Sequence, residues 1–229
     1  MDDKIFNYCE RGLDPGFWAE PINAVTNAAF VIAGLAAFYL LARQPAGSRR
    51  LVDYWLAALV CIIGIGSFLF HTYATPWAGL ADVLPIAIMM LSYLTVALRR
   101  YLGATWLWTG VGLVVFVVAY VLAGQILCDG ERCLNGSLGY FPAFIALMLI
   151  GGWLVARGDK PTGWGLLAAA GVFAVSLAFR SVDFHVCDHT HVGHDHGPLG
   201  THFMWHVLNA VMLYILVRVA IRFERPKTA

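Results

Sequence analysis

The residues best suited to chemistry are three histidines, an aspartate and a serine. His202 and His206 stand four apart, so a helix places both on one face. Ser67 and His71 share a face for the same reason, and Asp82 follows eleven residues after His71. All five lie near the ends of apolar runs long enough to cross a bilayer, where ionisable side chains are costly and by default functional. Three imidazoles with an open fourth position make the ligand set of a zinc hydrolase. A carboxylate and a hydroxyl beside them would supply proton transfer and stabilise charge in the transition state.

The elements that must bring these residues together are membrane helices. The chain has 229 residues, 60% of them hydrophobic and 13% charged. A soluble domain would carry about 25% charge. Mean hydropathy is +0.71. The reading is an all-α bundle of seven transmembrane helices in one domain, 1–229, with an extramembrane segment at 1–21. Apolar windows put the spans near 22–42, 52–71, 80–98, 105–125, 138–156, 163–181 and 202–222. No cleavable leader is visible among the acidic first twenty residues, so the first span is expected to direct insertion. A net charge of +1 gives no footprint for nucleic acid.

Orientation follows from the basic residues. Eleven of the fifteen Lys and Arg fall on the side holding Arg43 to Arg50, Arg99, Arg100, Arg157 and the C-terminus. The positive-inside rule then makes the C-terminus cytosolic and the N-terminus periplasmic or lumenal. The membrane is thus a bacterial inner membrane or that of the endoplasmic reticulum or Golgi. His71, Asp82, His202 and His206 all come to the non-cytosolic end. So do Cys9, Cys128, Cys133 and Cys187, in a compartment that permits disulfides. Cys128 and Cys133 could close a small loop, which would leave Cys9 for Cys187, or they could be free thiols. Asn23 and Asn27 could bond a partner helix. Trp18, Tyr73, Trp77 and Tyr140 suit an interfacial aromatic belt. Arg180 could pair with Asp183, or Asp183 could join the polar site.

Two further clusters compete for metal. The loop 189–196 holds His189, His191, His194 and His196. It reads as an adventitious metal binder or a solvated loop, and less simply as a zinc loader. In the N-terminal segment, Glu10, Asp14 and Glu20 could bind a hard cation such as calcium. On spacing alone a solvated acidic tail is the plainer reading.

Taken together, Tyr8-Cys9-Glu10, Ala19-Glu20 with Asn23 and Asn27, Ser67-x-x-x-His71, Asp82-x-x-Pro85, Asp183 to Cys187 and His202-x-x-x-His206 recur in order along nearly the whole chain. In this the sequence resembles the alkaline ceramidases, within the seven-helix hydrolases that include adiponectin receptors and Per1-like proteins. The resemblance implies zinc on His71, His202 and His206, with Asp82 handling the proton of a water and Ser67 steadying the oxyanion. It also implies calcium at Glu10 and Glu20, with oxygens of Asn7, Tyr8, Gly12 and Asp14 nearby, and a Cys9–Cys187 disulfide. Asn7 and Gly12 stand where the family carries an acidic residue and an asparagine.

The expected reaction is hydrolysis of ceramide, a membrane lipid amide, to sphingosine and fatty acid. One alternative is an esterase or phospholipase with the same ligands. Another is a receptor-like protein whose zinc is structural, marked by Asp82 as a direct fourth ligand.

Overall fold

The computed structural model describes residues 4–188 and 199–223, with Cys187 and Asp188 by backbone alone. The histidine loop at 189–196 lies outside the described residues. Helices run α1 (Pro21–Thr26), α2 (Ala28–Ala42), α3 (Leu51–Tyr73), α4 (Pro76–Val96), α5 (Trp106–Gly124), α6 (Phe141–Ala156), α7 (Lys160–Asp188) and α8 (His202–Arg222). With α1 and α2 counted as one span, seven helices among the described residues are long and apolar enough to cross a membrane. The chain is an integral, multi-pass helical bundle.

The boundaries depart from expectation where punctuation overrode hydropathy. The connector expected at 72–79 shrinks to Ala74 and Thr75. Pro76 opens α4 four residues early, because its fixed φ and missing N–H suit a first helical position. Ala74 ends α3 in the left-handed region, with φ 48°. At the other end of α4, Ala97–Tyr101 continues it as a π-turn. The seventh-span partner α7 runs well past 181, and its polar end is used by the site rather than left in solvent.

Packing places α3 against α2 and α4, α7 against α6 and α8, and α8 against α2. The shared core includes Ala37, Leu41, Leu56, Val60, Leu166, Ala169 and Val217. Small residues here let backbones approach, as association within lipid requires. By contrast α5 is peripheral, and its Val114, Val115, Val118 and Leu122 face outward. Between α5 and α6 a two-residue hairpin pairs β1 (Leu127–Cys128) with β2 (Glu131–Arg132). Asp129 and Gly130 both have positive φ, the turn that suits a right-twisted hairpin. Cys128 and Cys133 are joined as a disulfide beside it, and Cys61 is free.

One close approach sets the site. A Cβ on Gly66 would collide with the Ala81 carbonyl of α4. That carbonyl lacks its usual helical donor, because residue 85 four positions on is proline. Gly66 therefore lets α3 meet α4 where Ser67 and Asp82 sit. Gly66→Ala is expected to cost about 1–3 kcal/mol through overpacking. The check is a lower thermal midpoint in detergent together with reduced turnover, because the same shift parts Ser67 from Asp82.

Candidate metal centre

The last turn of α3 supplies His71, and the first two turns of α8 supply His202 and His206. All three side chains are essentially inaccessible to solvent. One ring nitrogen from each lies within 4.8 Å of the other two, the only such metal-capable group among the described residues. Ring centroids are 4.7 Å apart for His71–His206 and His202–His206, and 5.2 Å for His71–His202. The group brought this close holds no carboxylate oxygen, and Asp82 stands outside it.

Hydrogen bonds fix two of the tautomers. His71 Nδ1 meets Glu20 Oε2 at 2.5 Å. A carboxylate only accepts, so Nδ1 carries the proton. His206 Nδ1 lies 3.0 Å from the Thr26 hydroxyl. The single proton of that hydroxyl is directed at the Ile22 carbonyl, 2.7 Å away, with the Asn23 carbonyl at 3.1 Å, so a lone pair accepts from the ring. Both Nε2 atoms are thereby left as lone-pair donors, buried and without a hydrogen-bond partner; Nδ1 of His202 is also buried and unpartnered. Three buried imidazoles this close together, two of them oriented by hydrogen bonds at the far nitrogen, are the donor set zinc takes.

His202 is held differently. Tyr8 stacks on its ring at 3.9 Å between centroids, and burial pushes the Tyr8 phenol up to about 12, so it stays neutral. Asp183 accepts from the backbone N–H groups of Cys9, Thr201 and His202. Of the two roles open to Asp183, it thus takes the one at the site, binding the N-terminal segment to the start of α8. Arg180 instead lies over the rings of Trp205 and Tyr140, at 5.1 and 5.5 Å. Gly200 admits this crossing, since a Cβ there would strike both Asp183 and Cys9. Cys9 is disulfide-bonded; the side chain of Cys187 lies outside the described residues.

Ser67 and Asp82 are buried on facing helices, with Ser67 beside the Asp82 carboxyl. Asp82 Oδ1 has no hydrogen-bond partner. Both residues line a cavity of about 310 Å³ with His202 and His206. From this polar end the cavity runs into the bundle between apolar walls that include Met89, Leu213 and Leu216.

The residues assigned to calcium do not form a calcium cradle. Glu10 spends both oxygens on the N–H groups of Ile22 and Asn23, at 2.7 and 2.8 Å, capping α1. Burial pushes its carboxyl above the ordinary range despite those donors. Glu20 accepts from Arg11, Asn23 and His71. Burial opposes its charge, yet the His71 ring and Arg11 guanidinium outweigh that and hold its carboxyl below the ordinary range. Asn7 and Asp14 are exposed. Asp14 Oδ1 accepts from Gly16 N–H, Tyr8 packs by its ring, and Gly12 serves a turn at φ 52°. With the Arg11 guanidinium already among these groups and every carboxylate oxygen of Glu10 and Glu20 bonded by an N–H donor, the arrangement does not fit a hard cation, and no step is built on calcium.

Two smaller expectations also change. Tyr140 packs inward on Trp205 and Phe173 rather than joining an interfacial belt, whereas Trp18, Tyr73 and Trp77 are exposed at the site end. The amides of Asn23 and Asn27 bond Glu20 and the Asn23 carbonyl within their own segment. Sequence reasoning missed Thr26 and Arg11, and did not foresee that Glu20 bonds Arg11 and His71. A usable signal was Pro21, which marks a helix start and sets Glu20 at its mouth, level with the end of α3.

No curated protein matches the chain. A family model described as Ceramidase matches residues 5–227.

Proposed function

Because the chain belongs to the ceramidase family, we propose that it is an intramembrane zinc-dependent amide hydrolase that cleaves ceramide to sphingosine and a free fatty acid. The observation that carries this reading is the convergence of three buried imidazoles, one ring nitrogen of each within 4.8 Å of the others, at the polar end of an apolar cavity. His71, His202 and His206 hold the metal. When bound there, zinc supplies Lewis acidity at neutral pH.

The rest is done by the chain's own groups. The apolar walls take an acyl or sphingoid tail, which sets the amide carbonyl at the level of Ser67 and Asp82. Asp82 accepts the proton of the attacking water through its unpartnered oxygen. Ser67 donates its hydroxyl to the carbonyl oxygen as that atom gains charge. Asp82 then returns the proton to the leaving amine, completing hydrolysis with no net change in the protein. Glu20 and Thr26 keep the Nδ1 protons of His71 and His206 in place throughout, so the rings neither rotate nor change tautomer.

Lys and Arg concentrate at the opposite end of the bundle, where Arg100 bonds Asp53 and the Ala220 carbonyl. This supports a site on the periplasmic or lumenal face. The test is incubation of purified protein with ceramide and with a phospholipid of matched chain length. Sphingosine and fatty acid released in equal amounts from ceramide, with little acid from phospholipid, are expected. Faster release from the phospholipid ester would replace the amidase reading with the lipase one.

A further inference from the structure

Arg11 is the least expected residue of the N-terminal segment. The residue is 1% exposed, yet it belongs to a stretch read as solvated. Four acceptors surround it. Nε donates to Glu20 Oε1 at 2.6 Å. Nη1 donates to the carbonyls of Asp14 and Gly16 at 3.2 and 3.0 Å. Nη2 donates to the His71 carbonyl at 2.9 Å.

We propose that this guanidinium, rather than calcium, is the cation that ties the N-terminal segment to the bundle, and that through Glu20 it positions the His71 ring.

One carboxylate oxygen and three carbonyls are the ligand types a hard cation takes. Here they are bonded by a planar fork that suits a guanidinium. A divalent ion placed among the same oxygens would sit beside a buried like charge, which low dielectric makes prohibitive. The His71 carbonyl is available because α3 ends at Tyr73, so it has no helical donor four residues on. Two neighbours complete the same cap: Lys4 Nζ donates to the Tyr73 carbonyl and Ile5 N–H to that of Ala74. Arg11 thus grips His71 twice. It bonds the backbone directly, and it holds the Glu20 carboxylate whose other oxygen receives the ring proton.

The first arm of the test needs neither zinc nor turnover, so its outcome is separate from that of the amidase reading. Wild-type protein purified without calcium is titrated with radiolabelled calcium, and its thermal midpoint is taken with and without millimolar calcium. No saturable binding and an unchanged midpoint are expected. Saturable binding with a raised midpoint would overturn the proposal.

The second arm rests on zinc at the histidines and follows zinc retention against a competing chelator. Arg11→Ala is expected to hold zinc about 10- to 100-fold more weakly and to recover on addition of millimolar guanidinium ion. Arg11→Lys, which keeps the charge and the best chance of folding, is expected to fall between wild type and alanine. Wild-type retention in both variants would show that Arg11 does not position His71.

Discussion

His206→Ala is expected to remove zinc from the purified protein and reduce amide hydrolysis to background. The ring contributes one of three converging nitrogens, and α8 offers no other ligand at that level. Two imidazoles rarely retain zinc against water, whereas three with an open position do. The loss is not repaired by the neighbours, since Thr26 holds only the far nitrogen of the same ring. Metal analysis should show protein without zinc while the helical content and thermal unfolding of the bundle persist, because His206 contributes little to the core that Ala37, Leu56, Leu166 and Val217 form. A variant that keeps both zinc and turnover would end the assignment of this site. The histidine loop at 189–196 would then be the place to look.

Asp82→Asn separates metal binding from proton transfer. The side chain is buried and close in shape to the amide that replaces it, and it is not among the converging metal donors. Zinc content is therefore expected to stay near that of the wild type. Turnover is expected to fall by about 10²- to 10⁴-fold, the range for removing a positioned general base, because a carboxamide cannot take up the proton of the attacking water at neutral pH. The fall should appear in kcat more than in KM, as the tail-binding walls are untouched. If zinc were lost as well, Asp82 would belong to the metal shell, and the receptor-like reading with a closed site would regain ground.

These two outcomes depend on features with very different visibility in the sequence. His202-x-x-x-His206 was legible because helical periodicity alone puts two imidazoles on one face. The meeting of α3 and α4 was legible in outline, since a short connector between two spans makes a hairpin that brings His71 and Asp82 to one depth, with Ser67 a turn deeper. Its cause was not legible: Gly66 meets the Ala81 carbonyl that Pro85 leaves without a donor, a contact between residues fifteen apart on separate helices. Glu20 illustrates the same limit. Its type and position fit a hard-cation ligand equally well, and only the meeting of α1 with α3 shows that it orients His71.

By itself the sequence determined the membrane-spanning bundle, because the bilayer imposes a length and an apolarity on every crossing, and with it the three histidines that belong at one end. Only the tertiary structure decided which groups steady those histidines. Arg11, Glu20, Thr26 and Asp183 act through hydrogen bonds between segments 9 to 180 residues apart, and such bonds leave no periodic trace along the chain. Hydropathy is a local sum over neighbours in sequence. Orientation of a metal ligand is a property of neighbours in space, and it is there that a buried guanidinium meets the Glu20 carboxylate that the family resemblance had assigned to calcium.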